Sequence, residues 1–350
     1  MKHLYLEVTD RCNLRCVPCT VKKNPCKLNE PRFEKIVELL RGFKAIGGEY
    51  LTISGGEPGL RNDLPLLINE ASILGYKITL FTNGEACSMP VLDSLSLAGG
   101  MLALSLDGPN EKLHEAIRGP GTFLPAIKAL VRSVEALGSE NVILSCLLSK
   151  PLLPELSGLW EFANQKGVGI LYLCIFEPTR QGRNIPLAPK ARELVEPVIQ
   201  LLDLAEKQPS LRLAFSESDD LIRGQVIFSR RTPENILGKT IKVQADGWAI
   251  PGTFYYAPQF RLGRPYENGW MDILASPVLV TLLQHAEQKV SKTAACSECF
   301  WKDRCSGGSL ALTWATYRTW YHPCPLCQLY NATLYRSGLK NIHRAFTINT

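Results

Sequence analysis

Six short apolar runs alternate with longer amphipathic ones through the first half of the chain. The runs are HLYLEV (3–8), YLTISG (50–55), KITLFTN (77–83), MLALSLDG (101–108), NVILSCLLS (141–149) and GILYLCIFE (169–177). Each is apolar or β-branched over strand length, and polar or glycine-containing loops follow most of them. Helix-length stretches such as PRFEKIVELLRGFKAIG (31–47) and NDLPLLINEASILGY (62–76) lie between them. In the second, Asn62 or Asp63 is placed to cap the start and Gly75 to end the helix. Strand and helix in series restrict the chain to a parallel sheet with helices outside, an α/β fold. The spacing leaves open whether that sheet closes.

In either geometry ligands bind at the C-terminal ends of the strands. That rule gathers several polar loops on one rim. Cys12, Cys16 and Cys19 follow the first strand, Ser54–Pro58 (SGGEP) the second, and Thr82–Gly84 (TNG) the third. Ser105–Gly108 (SLDG) follows the fourth and Glu177–Arg183 (EPTRQGR) the sixth. Any one of these alone reads more readily as a plain turn, since Gly, Asn, Asp and Pro dominate turns. Five on one rim, beside three cysteines, point to a site.

The chain has 350 residues, enough for one large domain and a smaller one, and its 45% hydrophobic content suits a packed core. No apolar run reaches the roughly 18 residues of a membrane span. The start, MKHLYLEVTD, turns polar too early for a signal peptide. A net charge of +6 is spread rather than clustered, so nucleic-acid binding gains no support. A cytoplasmic protein is expected, without membrane or nucleic-acid partners.

Twelve cysteines in such a chain suggest metal ligation or catalysis rather than disulfides. Three sit at 12, 16 and 19, and five lie between Cys296 and Cys327. Cys146 and Cys174 fall in apolar runs, where a thiol usually packs as a small hydrophobe. Thiolates hold zinc or iron–sulfur clusters, and a closed site normally takes four. A Cys-x3-Cys-x2-Cys loop supplies three, which on a four-iron cluster leaves one iron open. Cys26 is the remaining nearby candidate for a fourth ligand.

CNLRCVPC after an N-terminal strand, followed by SGGEP after the second, resembles the radical S-adenosylmethionine (SAM) enzymes over roughly residues 3–185. The resemblance implies a partial (β/α)6 barrel of TIM type over 1–210, with a smaller cysteine-rich α+β extension over 211–350. It implies a 4Fe-4S cluster on Cys12, Cys16 and Cys19, its open iron chelated by SAM. Reductive cleavage would then yield a radical that takes hydrogen from substrate. By position, Gly55, Gly56, Glu57 and Pro58 would approach the SAM amino group. Asn83, Ser105 and Asp107 would meet its ribose or carboxylate, and Arg118 would pair with the carboxylate. Pro18 departs from the aromatic residue usual before the third cysteine, which moves adenine contact to Leu171 or Tyr172.

The tail CSECFWKDRCSGGSLALTWATYRTWYHPCPLC contains Cys296, Cys299, Cys305, Cys324 and Cys327. Its spacing alone suits structural zinc and iron–sulfur equally. It resembles the SPASM extension of radical SAM enzymes, which carries up to two auxiliary clusters. PGTF stands where the family has a cysteine after the VQADGWAIPG hairpin, and Ser309 stands where it has another. One auxiliary 4Fe-4S cluster is therefore expected, on Cys296, Cys299, Cys305 and either Cys327 (favoured) or Cys324. The implied activity is hydrogen abstraction from a peptide or protein side chain, in peptide modification or enzyme maturation. The alternatives are a small-molecule substrate (a cofactor, tetrapyrrole or sugar precursor) and, in another class, a non-catalytic iron–sulfur or zinc protein. No separate peptide-binding domain precedes Cys12, which leans toward the small-molecule reading. A reducing partner such as flavodoxin or ferredoxin is implied.

Overall fold

A computed structural model describes residues 2–19, 21, 30–176, 186–216 and 240–347, the side chains of 338–347 excepted. Cys26 and the loop 177–183 lie outside the described residues. The six expected strands form: β1 (His3–Glu7), β2 (Tyr50–Ser54), β3 (Lys77–Thr82), β4 (Met101–Ser105), β5 (Val142–Leu147) and β6 (Ile170–Cys174). Three more join the same sheet: β7 (Arg212–Phe215), β8 (Thr240–Val243) and β9 (Ala249–Pro251). The strand order is β7-β6-β5-β4-β3-β2-β1-β8-β9. All neighbours are parallel except β8 and β9, which form the antiparallel hairpin. The chain's first strand is thus interior, flanked by β2 and by β8.

Seven helices belong to the alternating part: α1 (Phe33–Ala45), α2 (Leu64–Ile73), α3 (Met89–Leu97), α4 (Glu111–Arg118), α5 (Phe123–Leu137), α6 (Leu156–Gln165) and α7 (Ala191–Lys207). In α1 the buried Ile36, Val37, Leu39, Leu40 and Phe43 make one stripe of helical period, which faces the sheet. α2 starts where expected, but Asp63 does not cap it. Its carboxylate instead accepts from Arg61 Nη2 at 2.7 Å, while Gly75 (φ 75°) does end the helix. Asn110 caps α4, its Oδ1 accepting from Leu113 N at 3.1 Å, and so fixes where Arg118, the last residue before Gly119, falls.

The C-terminal part is helical: α8 (Pro265–Leu274), α9 (Pro277–Gln288), α10 (Ala294–Ser297), α11 (Lys302–Cys305), α12 (Leu310–Tyr317) and α13 (Cys327–Thr347). It is tied back at two places. Trp270 of α8 donates to the Leu39 carbonyl at 2.9 Å and packs its ring on Phe43, 4.7 Å between centroids. Arg336 of α13 reaches Asp203 and Glu206 of α7 at 2.6 and 2.9 Å. The fold is therefore a partial barrel-like parallel sheet with flanking helices and a cysteine-rich extension.

Candidate active site

Two loops leave neighbouring parallel strands and lie flat against each other at the rim. Residues 8–11 follow β1 and residues 55–57 follow β2, joined by Val8 N to Ser54 O, Gly56 N to Thr9 O and Glu57 N to Arg11 O, at 2.7–2.8 Å. A Cβ on Gly56 would stand 2.1 Å from the Arg11 carbonyl oxygen, and one on Gly55 2.5 Å from that of Thr9. The glycines thus serve a contact between backbones, not only approach of a ligand. Arg11 is pinned in turn to Glu30 at 2.6 Å, and Arg61, 6% exposed, donates to the Val8 and Pro31 carbonyls. The loop that carries the cysteines is held from three sides.

Cys12, Cys16 and Cys19 then face one cavity of about 320 Å³. Gly55, Gly56, Glu57, Asn83, Ser105, Asp107 and Arg118 line it too, so ten expected site residues meet in one place. Pro58 does not line it; it is the buried first residue of a tight turn, Pro58–Leu60. Of the two adenine candidates, Tyr172 lines the cavity, whereas Leu171 is fully buried. Alternation along β6 puts the two on opposite faces.

The geometry refines several roles. Arg118 Nε donates to Asp107 Oδ2 at 2.6 Å, and its Nη1 lies 3.9 Å from Cys16 Sγ. Burial opposes the guanidinium charge, but Asp107 and Cys16 outweigh it, so its pKa is raised. Asp107 is fixed by Leu147 N on Oδ1 (2.7 Å), while its own N–H donates to His114 Nδ1 (3.2 Å). Glu57, 1% exposed, accepts from Thr82 Oγ1, Asn83 N and Gly59 N at 2.7–3.0 Å. Burial pushes its carboxyl pKa up, against those three donors and Arg118. Three of its roughly four acceptor positions are taken within the protein. Asn83, expected at the ribose or carboxylate, uses its amide on Asn13 of the cysteine loop (2.8 Å).

The far wall holds residues that the motifs did not indicate. Lys242 of β8 and Glu7 of β1 pair at 2.7 Å, both side chains 4% exposed, and Lys242 stands 4.9 Å from the ring centres of Tyr5 and Tyr256. Burial lowers the Lys242 pKa, yet Glu7 more than reverses this. Tyr5 and Glu7, two apart in a strand, share one face; that parity was the available signal. Cys174 also lines the cavity, 3.5 Å from Ser145 Oγ, rather than merely packing. Thr253 and Phe254, from the PGTF stretch that replaces a family cysteine, reach the same cavity.

The donor set fits an iron–sulfur cluster with a bound ligand: three thiols on one loop, a cation against one of them, and close-packed glycine backbone opposite. Residues 6–149 match the family model described as the Radical SAM superfamily. Residues 6–149 therefore carry a radical SAM domain. Among curated relatives, the mycofactocin maturase MftC of Mycolicibacterium smegmatis is 24% identical over 342 residues, covering 92% of this chain and 81% of that protein. A GTP 3′,8-cyclase of Synechococcus elongatus is 30% identical over 181 residues, 49% of this chain and 54% of that protein. Among solved structures, anSMEcpe with bound AdoMet has a TM-score of 0.80 at 17% identity, covering 99% and 100% of the two chains. Streptococcus suis SuiB bound to precursor peptide SuiA has 0.76 at 17% identity, covering 93% and 75%. These likenesses show the fold, through a SPASM-like C-terminal extension.

In that extension Cys296, Cys299, Cys324 and Cys327 lie near one another. Cys296 and Cys327 have thiol pKa values raised by burial and by neighbouring thiols, Cys299 among them. Asn331 Nδ2 approaches Cys327 Sγ at 3.7 Å. Gly308, bonded to the Cys305 carbonyl, packs on Cys324. Ser309, where the family has a cysteine, caps α12 by accepting from Leu312 N at 3.2 Å.

Proposed function

We propose that this radical SAM enzyme binds a 4Fe-4S cluster on Cys12, Cys16 and Cys19 and acts on a peptide or protein side chain. The observation that carries the reading is the convergence of those thiols with Gly55, Gly56, Arg118 and Asp107 on one cavity at the strand ends. When bound, the cluster and SAM supply reductive sulfonium cleavage and hydrogen abstraction. The chain's own part is placement. Arg118, anchored on Asp107, offers a fixed guanidinium to a carboxylate, and the backbone of residues 55–57 offers carbonyls to an ammonium. Tyr172 and Phe81 form an aromatic wall, and the Glu7–Lys242 pair faces the same space.

A peptide substrate is supported by the likeness to MftC, which runs over most of both chains, whereas the likeness to the cyclase covers about half of each. The precursor peptide bound to SuiB supports the same class. Cys296, Cys299, Cys305 and Cys327 would hold one auxiliary cluster, within an extension taken as 211–350 beside a barrel of 1–210. Among the described residues, no three His, Cys, Asp or Glu side chains are grouped as for a single metal ion. No described helix is long and apolar enough to cross a membrane. A cytoplasmic setting, with electrons from flavodoxin or ferredoxin, completes the proposal.

Anaerobically reconstituted protein should release 5′-deoxyadenosine from SAM and dithionite, and Cys16→Ala should release none while remaining folded. Deuterium carried from a labelled peptide into 5′-deoxyadenosine would establish the substrate class. Parent-rate turnover by Cys16→Ala would remove the assignment.

A further inference from the structure

A second cavity, of about 570 Å³, lies between the start of α7 and residues 312–328 of the extension. It adjoins the reaction cavity, because Ile175 and Phe176, the two residues after β6, line both. Leu194 of α7, Leu312 and Tyr317 of α12, and Leu326 give it apolar walls. Among the described residues, the only charged ones that line it are Lys190 and Arg192, both exposed; no carboxylate does. Glu193, next to Arg192 in sequence, accepts from the Lys190 backbone N–H at 2.6 Å and pairs with Lys150 at 3.4 Å. Cys324 and Cys327 stand at the wall, whereas Cys296, Cys299 and Cys305 do not, so this space is distinct from one that all those thiols would share around a cluster.

A small substrate has no need of a second chamber that shares a wall with the first, but a peptide does. An extended chain advances about 3.3 Å per residue, so the neighbours of a side chain held in the reaction cavity lie outside it within a few residues. We propose that the second cavity binds the segment of the peptide substrate that flanks the modified residue, and that it takes apolar side chains together with an acidic one. The inference rests on the peptide-substrate reading above and adds the chemistry of that substrate. Leu194, Leu312 and Leu326 supply the apolar part, in a volume within the usual range of ligand pockets. Lys190 and Arg192 supply the charge complementarity. A basic flank would meet two like charges with no carboxylate from the described walls to offset them.

The test uses the full chain, reconstituted anaerobically, and two short fluorescein-labelled peptides, one alternating leucine with glutamate and one leucine with lysine. Fluorescence anisotropy should show the parent binding the glutamate peptide at least about tenfold more tightly than the lysine one. Lys190→Glu/Arg192→Glu should reverse that order, and Tyr317→Ala should weaken the glutamate peptide with the order kept. Lys128→Glu/Lys207→Glu, the same change of charge on exposed residues outside the cavity, should leave the order as in the parent. Reversal in this control too would show a general attraction to a basic protein and overturn the proposal. So would a parent without the preference, or a preference that survives in Lys190→Glu/Arg192→Glu. If that variant does not fold, Lys190→Gln/Arg192→Gln takes its place and should abolish the preference; a preference kept there overturns the proposal. Dimerisation of the parent that neither peptide displaces and that the reversed variant loses would give the cavity to a second copy instead. Anisotropy reads binding alone, so this proposal can fail while deuterium transfer from a peptide still holds. Failure of that transfer with the preference intact would remove the peptide-substrate reading, and this proposal with it.

Discussion

His114 and Glu57 are where single atoms decide the most. His114 is 1% exposed, and its Nδ1 accepts the Asp107 N–H, which requires a neutral ring. Burial holds its pKa down at about 4, against the usual 6.5, with the Asp107 charge opposing the shift. The unfolded chain takes up this proton as pH falls below about 6.5, and the folded chain does so only near 4. Stability contributed by the neutral ring is therefore full above pH 6.5 and lost as pH falls toward 4, by up to about 3 kcal/mol. Denaturant midpoints across that window should fall more steeply in the parent than in His114→Gln; parallel curves would remove His114 from the account. Glu57→Gln places an amide N–H₂ among groups that already donate. With the rim displaced and one carboxylate charge lost, SAM affinity should fall by about one to two orders of magnitude, equivalent to roughly 1.5–3 kcal/mol. An unaltered dissociation constant by calorimetry would refute that role.

At the scale of elements, β8 matters more than its four residues suggest. It pairs with β1 in register, Tyr5 opposite Lys242, and carries Lys242 to Glu7. Lys242→Met would leave Glu7 buried without its cation, at a cost of about 3–5 kcal/mol. Glu7→Gln/Lys242→Met should recover much of that, since neither partner is then a stranded charge. A loss below about 1 kcal/mol in the single variant, the range of exposed pairs, would show the pair to be solvated. This pair also marks where reading the sequence stopped. Gly, Asn and Asp after a strand show themselves locally, so the rim loops of β2, β3 and β4 were legible. The Glu7–Lys242 contact was not, because strand pairing across 235 residues leaves no local periodicity. β7 was missed for a related reason: RLAF is too short to alternate visibly. Leu171 and Tyr172 were separable only once β6 had a defined inner face.

For the whole molecule the metal count is the sharpest test. One cluster in each half predicts about eight irons in the intact protein and little zinc, four per cluster. Changing Cys12, Cys16 and Cys19 together to Ala should leave about four. Adding Cys327→Ala should then remove the rest, whereas adding Cys324→Ala should not. Stoichiometric zinc after anaerobic purification would favour a ribbon, and about twelve irons would mean that other side chains replace the missing cysteines. Both outcomes are read directly by elemental analysis of one preparation.

The interior position of β1 also governs the order in which the chain assembles. His3 faces Thr52 on one side and Thr240 on the other, the latter 237 residues away. At about 5–20 residues per second, synthesis leaves that second edge of β1 open for roughly 10–50 s before β8 exists to cover it. During that interval a nascent chain carries a bare, apolar parallel edge, the kind most prone to pairing with another copy. Yield in expression should therefore depend on what shields the first strand as it leaves the ribosome, even for variants whose finished fold is unaltered.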